Sequence, residues 1–431
     1  MDRPPFDIPA FIAKVYADTP ATPPTWRDLG LMQGFPPAPD ARVTRRNFMY
    51  PPLNKWAFQH VCQLLPTIDV PAPATTRELP RAELPLETTT FRSICGREVS
   101  VAEHLTASDT DGFIVLQDGV IRFEHYANAQ TPETRHIMFS VTKSMIGTLA
   151  ESLVAQRRLD PAELVRDIVP ELADSAFGDA TVRQVMDMAI GVHYREDYED
   201  PRSESSQFGY ASGLYTGPAD DKADLPTEYA GLDNLYTFLP RLKKRGEHGG
   251  FFEYVTAVTE VLAWTMERAT GEACHEMVAR VWAALGCERD GYFIADPMGR
   301  NVAGAGFSAT LRDMARFGQM LLDHGKVGDE QVLPEGVVAT LLRGGSLEEF
   351  AANKEFAGLG RVSYKSQWYV FNDHALLAIG VHGQQIFVDF DARMVSIKQS
   401  STPTAVAPIN FDGMSMMAAL AGRLRAGEAK A

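Results

Sequence analysis

The sequence is poor in the residues that build disulfide frameworks and metal sites. Its four cysteines are far apart and show no Cys-x-x-Cys or Cys/His ligand spacing; they are Cys62, Cys95, Cys274 and Cys287. The sequence also lacks a His-Glu-x-x-His motif. We therefore expect reduced, buried thiols and a protein that uses neither a metal ion nor another cofactor.

An excess of positive charge and a long apolar run at the N-terminus are missing as well. The chain contains 41 lysines and arginines and 56 aspartates and glutamates, so its net charge is −15. This balance argues against a nucleic-acid-binding surface and against attraction to anionic membranes. Residues 1–19 contain acidic residues and prolines, and are typical of neither a signal peptide nor a membrane anchor. We expect a cytoplasmic location.

The 431 residues, 45% of them hydrophobic, are enough for a sizeable core in two closely packed domains. Residues 1–85 hold more than half of the 27 prolines, yet they carry aromatic residues that a disordered tail would not need: Trp26, Phe35, Phe48, Tyr50, Trp56 and Phe58. We predict an ordered, proline-rich N-terminal extension with a short helix within 54–65. Residues 86–140 and 300–431 are predicted to form an α/β domain, and residues 141–299 a mainly helical domain.

Strand patterns occur at both ends of residues 86–431, and helical patterns lie between them. Asp118-Gly119 is the turn of a predicted hairpin over 112–126. Helices are predicted at 140–156, 181–189, 255–269 and 308–323, with Ser308 as the N-cap of the last. Further strands at 367–370, 375–381, 385–389 and 394–399 precede a closing helix at 414–424. The pattern predicts an α+β fold, with one antiparallel sheet flanked by helices and an all-α lobe.

Ser140 and Lys143 are the most informative pair of residues. Three residues apart, they lie on one face of a helix, where the amine can take the proton of a nucleophilic hydroxyl. Ser-x-x-Lys alone occurs by chance in most long chains. Here, however, a hairpin precedes it and an apolar helix follows, so Ser140 is predicted at a helix start. Free N–H groups and the helix dipole favour a developing anion there.

Such a pair needs a third proton-carrying group and two N–H donors for the oxyanion. Tyr254, just before the helix that Gly271 ends, is the candidate for the first role, because a nearby lysine can lower the pKa of a phenol. The alternative is a core tyrosine that anchors the helix start.

The apolar strand at 375–381 contains Gly380, and a glycine in such a strand often marks close approach of another group. Gly380 would let the Val381 N–H face the substrate beside the Ser140 N–H. A β-bulge or a turn is the alternative. His382 is a further candidate for substrate binding, although a histidine between two strands is more often structural.

In order, Ser140-x-x-Lys143, Tyr254-Val255-Thr256 and Ala378-Ile379-Gly380 resemble the Ser-x-x-Lys, Tyr-x-Asn and Lys-Thr-Gly motifs of class C β-lactamases and related penicillin-recognising serine hydrolases. The stretches 180–186 and 308–318 are similar to helices of that family. The resemblance spans roughly residues 90–425 and implies the β-lactamase/transpeptidase-like fold, an α/β sandwich.

The branch that the sequence resembles is the 6-aminohexanoate-dimer hydrolase group, which opens nylon oligomers and also shows esterase activity. Similar stretches are 254–264, 380–384 and the Asn54-x-Trp56-x-Phe58-x-His60 pattern. That branch has a substrate-facing tyrosine in a loop after the second motif helix. The match at 194–198 places it at Tyr198, for which an ordinary loop tyrosine is the alternative.

Two departures from the family pattern narrow the expected function. Ala378-Ile379 removes the cation and hydroxyl that grip a β-lactam carboxylate, and Thr256 removes the amide of Tyr-x-Asn. The resemblance implies that Ser140 attacks a carbonyl, that Lys143 receives its proton after deprotonation by burial or by exchange with Tyr254, and that Tyr254 protonates the leaving group and activates water. The N–H groups of Ser140 and Val381 would hold the oxyanion.

The expected function is therefore hydrolysis of a small-molecule amide or ester. A carboxylesterase or weak class C-type β-lactamase is the first alternative. A catalytically silent binding or sensor protein is the second. Whether the protein forms a homodimer is left open.

Overall fold

The computed structural model describes residues 7–198, 200–214, 227–354, 356, 359–371 and 374–428. Its strands are β1 Thr67–Val70, β2 Thr90–Arg92, β3 Glu98–Ser100, β4 Thr110–Gln117, β5 Val120–Tyr126, β6 His136–Ile137, β7 Gly291–Ile294, β8 Phe307–Ala309, β9 Lys326–Val327, β10 Glu330–Gln331, β11 Val362–Lys365, β12 Trp368–Phe371, β13 Ala375–Gly380, β14 Gln384–Asp389 and β15 Met394–Ser400. Its helices are α1 Ile8–Asp18, α2 Asn54–Ala57, α3 Val101–Ala107, α4 Val141–Ala155, α5 Val165–Ile168, α6 Val182–Met186, α7 Glu204–Ala211, α8 Leu235–Phe238, α9 Thr256–Thr270, α10 Cys274–Leu285, α11 Leu311–Leu322, α12 Val337–Leu342, α13 Leu347–Ala351 and α14 Asp412–Glu428.

The central sheet joins the two ends of the predicted body. Its seven strands run in the order β11-β12-β13-β14-β15-β4-β5, and every neighbouring pair is antiparallel. The hairpin β4–β5 turns at Asp118-Gly119, and both residues have positive φ. The predicted α+β fold with an antiparallel sheet is confirmed.

Helices cover both faces of this sheet. Adjacent residues of a strand point to opposite faces. Val395 of β15 faces α11, whose Gly318 approaches so closely that a Cβ there would lie 2.5 Å from the valine Cγ1. Its neighbour Ser396 instead donates to Met417 of α14 at 3.0 Å. Every residue of β15 is therefore buried, as expected for a strand covered on both sides.

Helix α4 lies between the sheet and the helical part of the chain. Every residue from Val141 to Leu153 is buried, and the helix packs against α9, α10 and α12 as well as β13 and β14. At Gly147 a Cβ would lie 1.9 Å from the Ser366 carbonyl oxygen, so glycine is required for this approach. The close packing fixes the N-terminus of α4 relative to the end of β13.

The described part of the N-terminal extension, residues 7–85, is ordered against the rest of the molecule. Strand β1 pairs with β7 in a second sheet of order β1-β7-β8-β6. Tyr16 of α1 donates to Asp412 at 2.8 Å, and the Asn54 side chain donates to the Ser401 carbonyl at 2.8 Å. Among its aromatic residues, Phe48, Trp56 and Phe58 are buried, but Phe35 and Tyr50 are exposed.

Three local predictions are corrected. Ser308 lies within β8, and Thr310 is the N-cap of α11 because its hydroxyl accepts the Asp313 N–H at 3.2 Å. The helix predicted at 54–65 is one turn followed by a 3₁₀ segment. All four cysteines are free, but only Cys274 and Cys287 are buried, whereas Cys62 is exposed.

Candidate active site

Ser140 is the N-cap residue of α4. The N–H groups of the first helical turn, residues 141–143, donate to the carbonyls of residues 138–140. The Ser140 side chain is largely buried, with 8% of the residue exposed. The preceding residue, Phe139, has φ of 43°, a left-handed conformation that is rare outside glycine. The turn therefore presents the Ser140 hydroxyl at a helix start, as the sequence predicts.

Lys143 lies one helical turn further on and contacts Ser140 directly. Its Nζ is 2.9 Å from Ser140 Oγ and donates to the Gly304 carbonyl at 2.6 Å. Burial lowers the pKa of Lys143 to about 8, while the negative charges of Glu196 and Glu260 act to raise it. An amine with this pKa is partly neutral near pH 7, so its lone pair can accept the serine proton.

Tyr254 faces this pair from the segment before α9. The Lys143 Nζ lies 5.2 Å from the centre of the tyrosine ring. Burial raises the pKa of Tyr254 well above its usual range, helped by the charge of Glu196, and a side-chain hydrogen bond with Ser140 acts against the rise. The expectation of a lowered pKa is wrong, because loss of solvation is the largest influence on this phenol. The phenol is therefore protonated at neutral pH.

The end of β13 approaches the nucleophile turn as the sequence predicts. A Cβ on Gly380 would lie 2.5 Å from the Met138 carbonyl oxygen, so any larger residue would push the two segments apart. Val381 follows directly and is half-buried. Gly380 therefore contributes through its missing side chain, which allows the backbone at Val381 to lie beside the Ser140 turn.

His382 lies behind the site. Only 3% of it is exposed, and its ring packs against Phe58 and Phe139, while Nδ1 is 2.7 Å from the Thr402 carbonyl. Burial lowers the pKa of His382 to about 4, so the ring is neutral at pH 7. The structural alternative fits these contacts, and the proposed substrate contact does not.

Tyr198 is connected to the site through Glu196. The phenol is 40% exposed and donates to Glu196 at 2.5 Å. The same carboxylate accepts the Thr256 N–H at 3.1 Å and the Thr256 hydroxyl. Thr256 is thus engaged with the loop, and Tyr198 is held at an exposed position beside the second motif.

Sequence reasoning missed Glu260, a buried carboxylate on α9. Its two oxygens accept the N–H groups of Ala303 at 3.0 Å and Gly304 at 2.7 Å. Burial raises the pKa of Glu260 to about 8, and these N–H groups and Lys143 act to lower it. An acidic residue among the apolar side chains of the first three turns of α9 was the available signal, but its partners lie more than forty positions away in sequence.

Replacing Glu260 with glutamine should lower kcat and shift the acidic limb of the pH–kcat/KM profile to lower pH. The amide can accept from only one of the two N–H groups, so the Gly304 carbonyl loses support. Near pH 8 about half of the Glu260 carboxyls are ionised, and replacement removes this partial negative charge, which lowers the pKa of Lys143. We expect roughly a 10-fold loss in kcat, corresponding to one weakened buried hydrogen bond. Glu260→Asp, which keeps the carboxyl group, should leave the acidic limb in place. Identical limbs in wild type and Glu260→Gln would show that Glu260 does not influence the pKa of Lys143.

Within the described residues, no helix is both long enough and apolar enough to cross a membrane. In the same part of the chain, no cluster of three or more histidine, cysteine, aspartate or glutamate side chains is arranged to hold a metal ion.

Comparison with known proteins agrees with this geometry. The family model described as Beta-lactamase matches residues 101–411. A 6-aminohexanoate-dimer hydrolase from Paenarthrobacter ureafaciens is 36% identical over 375 residues, which cover 86% of this chain and 91% of the relative.

Solved structures are similar as well. A candidate 6-aminohexanoate-dimer hydrolase from Bacillus anthracis superimposes with a TM-score of 0.80 at 29% identity, covering 91% of this chain and 99% of that one. A family VIII carboxylesterase shares the fold, with a TM-score of 0.51 at 16% identity over 73% of this chain and 92% of its own.

Proposed function

Because this chain belongs to the β-lactamase family of serine hydrolases, we propose that it cleaves amide or ester bonds of small molecules through an acyl-enzyme on Ser140. The observation that carries the proposal is the 2.9 Å contact between the Ser140 hydroxyl and a buried amine whose pKa is lowered to about 8. The 36% identical relative is named for the dimer of 6-aminohexanoate, and on this basis we propose a linear ω-amino-acid amide as the first substrate class.

In the acylation step, the Ser140 oxygen attacks the substrate carbonyl carbon as its proton passes to the neutral amine of Lys143. The Gly304 carbonyl accepts one N–H of that amine, which leaves the nitrogen lone pair free to face the hydroxyl. The carbonyl oxygen becomes an oxyanion, held by the N–H groups of Ser140 and Val381. In comparable sites one such donor contributes about 3–4 kcal/mol to the transition state.

Tyr254 completes the cycle as a proton carrier. Its phenol, protonated because burial raises its pKa, donates a proton to the leaving nitrogen or oxygen as the bond to the acyl carbon breaks, and it is reprotonated from Lys143. In deacylation, water attacks the ester carbonyl while its proton returns through the same groups, and the Ser140 oxygen leaves with a proton. Both steps use residues that lie within one buried cluster.

Three residues of the second and third motifs disfavour β-lactam hydrolysis. Ala378 and Ile379 offer neither a cation nor a hydroxyl for a carboxylate, and the Thr256 side chain donates to Glu196. The acylation groups do not distinguish amides from esters, so esterase activity is the second candidate. The Ser140–Lys143 contact argues against a catalytically silent protein.

Parallel assays test the proposal. We expect hydrolysis of the linear 6-aminohexanoate dimer and a burst of p-nitrophenol from p-nitrophenyl acetate, with little turnover of nitrocefin. A burst without amide hydrolysis would favour an esterase. Efficient nitrocefin turnover would contradict the preference for non-lactam substrates, and the absence of both burst and covalent labelling by a fluorophosphonate would refute the proposed function.

A further inference from the structure

Phe58, from the N-terminal extension, contacts the two residues that flank the proposed oxyanion donors. Its ring lies 5.0 Å from that of Phe139, the residue before Ser140, at an angle of 81°. It lies 4.9 Å from that of His382, the residue after Val381, at an angle of 66°. The rings of Phe139 and His382 are themselves 5.7 Å apart. One side chain therefore joins both halves of the site.

Both flanking residues have unfavourable backbone conformations. Phe139 has φ of 43° and His382 has φ of 60°, and neither is a glycine. A left-handed residue of this kind costs about 1–3 kcal/mol and persists only where its surroundings hold it. Phe58, Phe139 and His382 are no more than 3% exposed. Edge-to-face packing of the Phe58 ring on each of the other two is therefore available to hold both conformations.

The position of Phe58 is itself fixed on both sides. Its carbonyl accepts the Ile137 N–H at 2.9 Å, two residues before Phe139. Asn54 lies four residues before Phe58, and its side chain donates to the Ser401 carbonyl. The next carbonyl, that of Thr402, contacts the His382 ring. The segment 54–58 thus bridges the strand that leads to Ser140 and the loop that supports Val381.

We propose that Phe58 is a positioning residue that sets the spacing of the Ser140 and Val381 N–H groups in the oxyanion hole. The inference rests on the proposed function of those two groups. Phe58 lies outside residues 101–411, the part of the chain that matches the family model. The proline-rich extension is by this account a component of the active site.

The test compares Phe58→Ala and Phe58→Leu with Phe48→Ala. Phe48 is an equally buried phenylalanine of the extension. In the part of the chain that the structure describes, no aromatic ring pair joins it to Phe58, Phe139 or His382. Active sites are counted by the p-nitrophenyl acetate burst, and kcat, KM and the Kd for phenylboronic acid are measured. The boronate forms a tetrahedral adduct on the serine and places an oxygen in the oxyanion hole.

For Phe58→Ala we expect kcat per titrated site to fall about 10- to 100-fold, since removing a whole oxyanion donor costs roughly 10²–10³. The Kd for phenylboronic acid should rise by a similar factor, with KM little changed. Phe58→Leu should recover much of the loss. Phe48→Ala should lower the melting temperature without changing the rate per titrated site.

Wild-type kcat and boronate affinity per titrated site in Phe58→Ala would overturn the inference alone. If the alanine variant does not fold, Phe58→Val takes its place, because a valine side chain is likewise too short to reach both rings. Equal losses in Phe58→Ala and Phe48→Ala would also overturn it, because they indicate a general packing effect. A wild-type enzyme that forms no acyl-enzyme would overturn the proposed function as well.

Discussion

Ser140→Ala is expected to abolish covalent labelling and to lower kcat by about 10⁴-fold or more, as removal of a serine nucleophile does in other hydrolases. The variant keeps the helix start and the buried lysine, but it has no oxygen to form the acyl ester. Mass spectrometry after fluorophosphonate treatment measures the label directly. Steady-state hydrolysis of p-nitrophenyl acetate gives the loss in rate.

Ser144→Ala is the matched control for this experiment. Ser144 lies one turn further along α4, is also buried, and donates to the Gln367 carbonyl at 2.6 Å. Its replacement should cost about 1 kcal/mol of stability through one lost hydrogen bond, while labelling persists. Labelling of Ser140→Ala at the wild-type level would show that another residue is the nucleophile.

The second large effect is expected at Lys143. Replacing it with methionine or arginine should lower kcat/KM by about 10²–10⁴-fold, the range of general-base contributions, because methionine has no base and arginine does not lose its proton. In the wild type, the reactive form is the neutral amine. With a pKa of about 8, kcat/KM should rise as the pH increases through 8 and fall away below it.

Lys398→Met is the control for this prediction. Lys398 is equally buried on β15, contacts Asn410 at 3.1 Å, and has its pKa lowered by burial to about 7. Its replacement should leave the limb near pH 8 in place. A flat wild-type profile between pH 6 and 9 would contradict a titrating general base. Loss of the limb in Lys398→Met would show that the limb does not report the titration of Lys143.

The parts of the site that the sequence predicted depend on short-range geometry. Ser140 and Lys143 meet because three residues of helix bring two side chains to one face. Tyr254 was found because it precedes a strongly patterned helix, and Gly380 because a glycine interrupts an apolar strand. In each case the signal lies within one element or directly beside it.

The parts that the sequence did not predict depend on contacts between distant segments. Glu260 acts on Lys143 through the Gly304 backbone, and Phe58 contacts Phe139 and His382 from the extension. His382 was assigned to the substrate because its burial behind Phe58 cannot be read from neighbouring residues. The pKa of Tyr254 was predicted in the wrong direction because desolvation depends on everything that surrounds the phenol.

The sequence by itself therefore determined the family, the antiparallel sheet and the identities of the proposed nucleophile, base and proton carrier, since local periodicity and motif order encode them. The tertiary structure decided the pKa values of those groups and brought the end of β13 beside the Ser140 turn. Both depend on burial and on packing between segments far apart in the chain, which α4, the end of β13 and the N-terminal extension reach only when they are folded together.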